Sequence, residues 1–390
     1  MNRENILERV LNNDSKNILL ELPTGYGKTR YAIEKIKQLN PKNILIVIPR
    51  NVLKENWNKE IEKWGGLDCE ITYSTYVSIP KNIGRYDIII FDEAHHISER
   101  CREALKYYNF KNAILLSATI NRNLKKELYR IFEFETIKVS TREAIENEVL
   151  PEPIVYLIPM ELDNTKSSEI LVKNPKGKTI VRTPYANRWN YLRNKEYRVE
   201  LKCTQQQYIQ DLNEQIDWYK RKALRTNNIL FKNKWLYLCS ERLKYLATIK
   251  NSFIKDLLLQ LKNYRTLTFC TDIKQTEELG KYCINSKNKS SEEYLNMFNN
   301  NKIKHITACN SLNEGVNLNN CRIGIFVNVN ASEIMTIQKI GRILRHKQPT
   351  VIIPYYKNTR EQELVINMLE NFNKDNIKIL TNLKDLKLEI

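Results

Sequence analysis

With 390 residues and a mass of 46.3 kDa, the chain is too long for one ordinary domain and predicts two or three. Its 42% hydrophobic and 28% charged residues, with 10 glycines and 11 prolines, exclude global disorder and collagen-like or low-complexity architecture. Lys and Arg number 63 against 45 Asp and Glu, and the net charge of +18 points to a polyanionic partner, either nucleic acid or an anionic membrane surface.

The opening Met1–Lys16 is polar, carries both signs of charge and lacks the apolar stretch of a signal peptide. No run approaches the roughly 18 apolar residues of a membrane span. Eight scattered cysteines without a C-x-x-C pair, and four histidines, fit reduced thiols in a cytoplasmic protein better than a structural zinc site.

Ile18-Leu19-Leu20 is the first expected strand. Leu22-Pro23-Thr24-Gly25-Tyr26-Gly27-Lys28-Thr29 follows it and opens a helix with apolar positions at Ala32, Ile33, Ile36 and Leu39, stopped before Pro41. This is the setting of a phosphate-binding loop. Gly25 and Gly27 let the backbone curl around phosphate oxygens, with Thr24 and Tyr26 in the same loop. Lys28 would reach the β- and γ-phosphates of ATP, and Thr29 would ligate Mg²⁺. Leu22 stands where the general pattern has its first glycine.

Three more strands are expected at 44–48, 88–91 and 113–116. All are continuous apolar runs, as in a parallel sheet covered on both faces. Asp92-Glu93-Ala94-His95 follows the third of the four. A carboxylate there would lie beside the phosphate loop, Asp92 in the Mg²⁺ shell and Glu93 orienting and deprotonating the attacking water.

Between the halves the style changes. Ile154–Ile158 reads as a strand, 165–180 as loop, and Ile209–Ala223 and Arg242–Leu261 as helices. Residues 172–250 hold 18 basic and 6 acidic side chains, a net +12, together with Trp189, Trp218 and Trp235. Basic side chains interleaved with aromatics suit a surface that neutralises phosphates and stacks bases. A solvated basic layer over an aromatic core is the plainer alternative. A second α/β series follows, with strands at 266–269, 304–307, 323–327 and 351–353. Residues 361–390 read as a helix and a Lys/Asn/Leu-rich segment.

The order of motifs resembles that of superfamily-two helicases and translocases, which have two RecA-like domains and a DEAH box. Pro49-Arg50-Asn51-Val52-Leu53 with Trp57, and Ile71–Tyr76, are similar to the family's nucleic-acid-contact motifs, which implies Pro49, Arg50 and Thr75 on the strand. Ser117-Ala118-Thr119 is similar to the motif that, with His95, couples ATP state to domain closure. Phe269-Cys270-Thr271 stands where the fourth motif begins, and Asn310–Asn317 resembles the fifth. That match implies Ser311 on nucleic acid and Gly315 and Asn317 at the nucleotide, with Asn317 in place of the usual Asp. Gln338-Lys339-Ile340-Gly341-Arg342-Ile343-Leu344-Arg345 resembles the sixth, implying Gln338 as a catalytic residue and Arg342 and Arg345 as arginine fingers. The motif style is closest to DNA-dependent members: phage recombination helicases, XPB-like proteins and type III restriction motor subunits.

The resulting expectation is an α/β protein with two RecA-like parallel-sheet P-loop domains and a basic, mainly helical insertion between them. The division is 1–143, 144–260 for linker strand and insertion, 261–358, and a helical tail 359–390. Its activity would be ATP-dependent movement on or unwinding of DNA, as a monomer in the cytoplasm, with ATP and Mg²⁺ and without a membrane. The rivals are an RNA-dependent ATPase, a catalytically silent nucleic-acid binder and a membrane-surface protein. Only 21 residues precede Leu22 and none is glutamine, so the family's adenine-reading glutamine is missing. About 34 residues after the last expected strand leave little room for a further domain. Trp57 is read as a cap on the core or a support for the strand-contact loop, and His305 and His346 as structural or solvent-facing.

Overall fold

The four apolar runs of the first third lie side by side in one parallel sheet. The computed structural model describes residues 2–165, 168–173, 179–181, 190–192, 198–309, 318, 320–329, 346–370 and 372–386, and of 168–202 the backbone alone. The first sheet contains β1 (Asn17–Glu21), β2 (Asn43–Ile48), β3 (Glu70–Thr75), β4 (Arg85–Asp92), β5 (Asn109–Ser117) and β6 (Glu135–Lys138), in the spatial order β3-β2-β4-β5-β1-β6. Two of these, β3 and β6, go beyond the four expected. Both are edge strands with half-exposed faces, so they lack the continuous apolar run that marks a central strand.

Alternate residues of the central strands enter opposite cores. Ile18, Leu20, Ile44, Ile46, Ile88 and Ile90 pack with Ile6 and Val10 of α1 (Arg3–Leu11), Ile33 and Ile36 of α2 (Lys28–Leu39), and Trp57 and Ile61 of α3 (Leu53–Lys63). Leu19, Leu45, Val47, Ile89 and Phe91 face α4 (Glu99–Leu105) and α5 (Arg122–Ile131), meeting Cys101, Leu105 and Leu128. Burial on both faces explains why these strands are apolar throughout, each such side chain contributing roughly 1.5–3 kcal/mol. After α6 (Thr141–Glu146), which carries a Ser140/Glu143 capping box, the chain leaves this unit.

The strand expected in the linker, β7 (Ile154–Met160), is a full member of the second sheet, paired in parallel with a strand almost 200 residues later. The loop expected over 165–180 contains β8 (Ser168–Lys173) and β9 (Thr179–Val181). These form antiparallel ribbons with β11 (Arg198–Cys203) and β10 (Asn190–Leu192), respectively. Their partners lie downstream in sequence, so local composition carries no sign of the pairing.

Two long antiparallel helices follow, α7 (Gln205–Thr226) and α8 (Ile229–Thr248), then α9 (Asn251–Gln260). The single helix expected over 242–261 is broken at Ile249-Lys250, where the chain turns the buried Lys250 into the second domain. The second sheet adds β12 (Thr266–Phe269), β13 (Cys283–Ile284), β14 (His305–Ala308), β15 (Ile323–Phe326), β16 (Thr350–Tyr356) and β17 (Ile377–Ile379). Its order is β13-β14-β12-β15-β16-β7-β17, all parallel. Helices α10 (Ile273–Leu279), α11 (Ser291–Asn299) and α12 (Arg360–Leu369) complete it. The tail expected as helical thus supplies one helix and the edge strand β17. Among the described residues no helix is long and apolar enough to cross a membrane.

His305 opens β14 partly buried, its Nε2 3.1 Å from Thr268 Oγ1, and burial pushes its pKa down to about 4. The unfolded chain therefore takes up a proton near pH 6.5 that the folded chain refuses until about pH 4. Stability is full above pH 6.5 and is lost as pH falls through this window, by about 2 kcal/mol between pH 7.5 and pH 5. Urea midpoints of wild type and His305→Gln across that range test this. Parallel pH profiles would remove His305 as the cause.

Candidate active site

Strand β1 ends at Glu21, and the Leu22 amide donates to Ser117 O at 3.0 Å, tying the loop to the end of β5. The Tyr26 amide closes a turn on Pro23 O at 3.2 Å. Gly25 and Gly27 have φ of 87° and 109°, the left-handed region that a Cβ disfavours. Gly27 is the N-cap of α2 and no side chain caps that helix. Its first-turn amides, which have no intrahelical partners, and its positive end are therefore available to an anion. Lys28 Nζ donates to Leu22 O at 3.1 Å and lies 3.9 Å from Glu93 Oε1. The Tyr26 ring is fully buried, so within this loop Tyr26 offers a ligand its backbone and not its phenol.

The acids come from the neighbouring strand. Asp92 ends β4 and pairs with Leu116, one residue before Ser117, so Asp92, Ser117 and the phosphate loop share one edge of the sheet. Asp92 Oδ2 accepts from Trp57 Nε1 at 2.9 Å, and Asp92 O accepts from Tyr76 Oη at 2.6 Å. Burial and the adjacent Glu93 push the Asp92 carboxyl up to about 6, against the Trp57 hydrogen bond and the Lys28 ammonium, which lower it. Glu93 has φ 52°, a left-handed conformation uncommon for a residue with a side chain. Such strain persists where the surroundings over-determine it.

A polar chain leads away from Glu93. His95 Nδ1 lies 3.5 Å from Glu93 Oε2 and 3.2 Å from Ser117 Oγ, while Ser117 Oγ donates to Thr119 O at 2.7 Å. With the serine proton committed to Thr119, Ser117 Oγ accepts from His95, which selects the Nδ1–H tautomer. The geometry thus joins His95, Ser117 and Thr119.

The Lys28 ammonium pairs with Glu93 and acts on the neighbouring Asp92, and among the described residues the buried Thr24 Oγ1 and Glu93 Oε2 have no hydrogen-bond partner. A hard divalent cation takes oxygen ligands, and a phosphate chain takes an ammonium and helix N-terminal amides. The donor set present therefore fits both Mg²⁺ and a nucleotide phosphate chain. The loop and acids line a cleft of about 990 Å³, at the upper end of ordinary ligand pockets. Thr29 lies in its wall, and so do Arg3, the segment Val149-Leu150-Pro151, His346 and Lys347. Arg3 Nη2 donates to Gly25 O at 3.1 Å. His346, read from sequence as structural or solvent-facing, is thus part of the cleft wall.

Ile48 pairs with Thr75, so Pro49, Arg50 and Thr75 meet at adjoining strand ends of the same sheet edge. Thr75 Oγ1 donates to Ser78 Oγ at 3.0 Å. Ser311, Gly315, Asn317, Gln338, Arg342 and Arg345 lie outside the described residues. Sequence reasoning missed the Trp57 and Tyr76 contacts to Asp92 and the approach of Arg3 to the loop. An indole and a phenol carry no pattern that names a partner elsewhere in the chain.

Residues 2–77 match the family model described as type III restriction enzyme, res subunit, and residues 249–347 the one described as helicase conserved C-terminal domain. No curated protein matches the chain in sequence. Among solved structures, S. cerevisiae Dbp5 bound to RNA and ADP BeF3 is similar with a TM-score of 0.58 at 11% identity, over 97% of this chain and 89% of that one. The Pyrococcus furiosus Hef helicase domain gives 0.51 at 13% identity, over 94% and 97%. A fragment of a putative HsdR subunit of a type I restriction enzyme from Vibrio vulnificus gives 0.58 at 16%, over 97% and 68%. At these identities the likeness is one of fold.

Proposed function

We propose that this chain, a superfamily-two helicase-type protein with two RecA-like domains, is a DNA-dependent ATPase that moves on or unwinds its strand. The observation that carries the reading is the convergence of Lys28, Asp92 and Glu93 at one strand edge, beside an uncapped helix N-terminus. Lys28 and the α2 amides would hold the β- and γ-phosphates of ATP. Thr29 and Asp92 would hold Mg²⁺, which when bound neutralises phosphate charge. Glu93, next to Lys28 and with one carboxylate oxygen that makes no hydrogen bond among the described residues, would orient the attacking water and take its proton. Gln338, Arg342 and Arg345 would complete the site from the second domain, so that ATP favours the closed pair of domains and hydrolysis releases it. The His95–Ser117–Thr119 chain would report that state to the strand-contact loops. Pro49, Arg50, Thr75 and Ser311 would touch the nucleic acid.

The preference for DNA rests on motif style, while the basic stretch 172–250 supports a nucleic-acid partner of either kind. Steady-state ATP hydrolysis alone and with single-stranded DNA, duplex DNA, a branched junction and RNA tests it. Stimulation by a DNA form supports the reading, whereas stimulation by RNA alone transfers the activity to RNA. No hydrolysis under any condition leaves a binder. In the stimulated condition Glu93→Gln should retain ATP and lose about 10²–10⁴-fold in turnover. Normal turnover by this variant would take Glu93 out of the base role.

A further inference from the structure

The α7–α8 pair is packed at its base and bare at its tip. Ile209, Leu212, Ile216, Leu238 and Leu246 form a buried cluster with Tyr356 of the second sheet. The two helices are joined by Asn227-Asn228, and around that turn Leu224 is 70% exposed, Ile229 61% and Leu230 71%. Three large aliphatic side chains are thus bared around one turn at the end of the hairpin, a concentration of exposed apolar surface that suits an interaction site.

The surroundings state the chemistry of the occupant. Residues 218–237 hold six basic side chains and no acidic one. The ammonium of Lys222 lies 5.6 Å from the Trp218 ring, that of Lys220 5.9 Å from Trp235, and that of Lys234 4.8 Å from Tyr237. The ring faces attract these ammonium groups electrostatically. A collar in which basic side chains outnumber acids, with Glu241 beside Lys234 and Tyr237, fits a polyanion and repels a second copy of a chain of net charge +18. An apolar tip inside that collar gains little from the sugar-phosphate surface of an intact duplex. It gains from the face of an unpaired or terminal base.

We propose that the α7–α8 tip is a wedge for nucleic-acid junctions. Leu224, Ile229 and Leu230 pack on the bases where paired and unpaired strands meet, and Lys220, Lys222 and Lys234 hold the flanking phosphates. The inference rests on the reading of the chain as a nucleic-acid motor and names its substrate form: a fork or branch, in preference to uniform duplex.

The full-length protein is compared with the triple variant Leu224→Asn/Ile229→Asn/Leu230→Asn. All three side chains are exposed, so its circular dichroism and thermal midpoint should match wild type. The probes are a fork carrying 2-aminopurine at the first unpaired position and a blunt duplex of equal length, each made in DNA and in RNA. Wild type is expected to bind one of the forks at least about tenfold more tightly than the matching duplex and to change its 2-aminopurine fluorescence. The triple variant should lose both the preference and the fluorescence change. A triple variant that keeps both overturns the wedge. So does a wild type whose ATP turnover is stimulated by nucleic acid but which shows no fork preference, and the motor reading then stands. A wild type that binds neither fork nor duplex overturns the motor reading along with the wedge. Loss of self-association, or of binding to phosphatidylserine vesicles, in a triple variant with unaltered fork preference would assign the tip to a second copy or a membrane instead.

Discussion

Replacing Lys28 with alanine is expected to lower nucleic-acid-stimulated ATP turnover by about 10²–10³-fold, the usual loss when a preorganised donor is removed from a developing charge. Lys28 lies beside the paired acids, 3.9 Å from Glu93 Oε1, and its ammonium also rests on Leu22 O at 3.1 Å. That carbonyl contact is easily exchanged for a phosphate oxygen, because an anionic acceptor adds a Coulomb attraction that a neutral carbonyl lacks. The glycines that shape the loop and the hydrogen bond from Leu22 to Ser117 do not involve the lysine side chain. The variant should therefore fold and bind nucleic acid with affinity close to wild type, and lose affinity for ATP. Turnover within threefold of wild type, at saturating ATP, would refute the phosphate-loop assignment.

The second large effect is on stability. Lys250 is 0% exposed and its Nζ donates to Glu361 Oε1 at 2.6 Å, Val327 O at 2.7 Å and Asn328 Oδ1 at 3.1 Å. Glu361 is buried too, and its other oxygen accepts from the Tyr356 amide at 3.1 Å. Burial pushes the Lys250 pKa down, and the neighbouring Glu361 acts against that. Lys250→Met removes one half of the pair and leaves a buried carboxylate without its cation, at an expected cost of about 3–5 kcal/mol. Lys250→Met/Glu361→Gln should recover much of this loss, since a neutral amide can still accept from the Tyr356 amide. Urea unfolding of the three proteins at neutral pH reads the difference. A single variant within about 0.5 kcal/mol of wild type would show that the pair carries no weight in folding. The site matters beyond stability because Asn328 also donates to Leu243 O at 2.7 Å and Thr271 Oγ1 at 3.0 Å. One buried cluster thus joins the end of α8, the loop after β12, the end of β15 and α12.

Much of the candidate site is legible in sequence because its parts are contiguous. Lys28 and Thr29 follow β1, Asp92 and Glu93 follow β4, and Ser117 ends β5, each marked by an apolar run before it. The structure brings these three strand ends together through the order β4-β5-β1. Trp57 and Tyr76 reach Asp92 from 35 and 16 residues away, with no local pattern to announce the contact. The Lys250–Glu361 pair spans 111 residues, and in sequence each is an ordinary helical charge.

By itself, then, the sequence determined the two α/β units, the positions of their central strands, the phosphate loop and the paired acids. Periodicity, strand-end position and glycine placement are local properties, and they follow from backbone geometry alone. Tertiary structure decided which edge strands complete each sheet, that β7 and β17 belong to the second, and that one expected helix breaks at Lys250. It also decided that the apolar Leu224, Ile229 and Leu230 stand exposed at the end of a basic hairpin. The reason is the same in each case. Non-local pairing and burial depend on which surfaces meet after folding, and neither leaves a signature in the neighbouring residues.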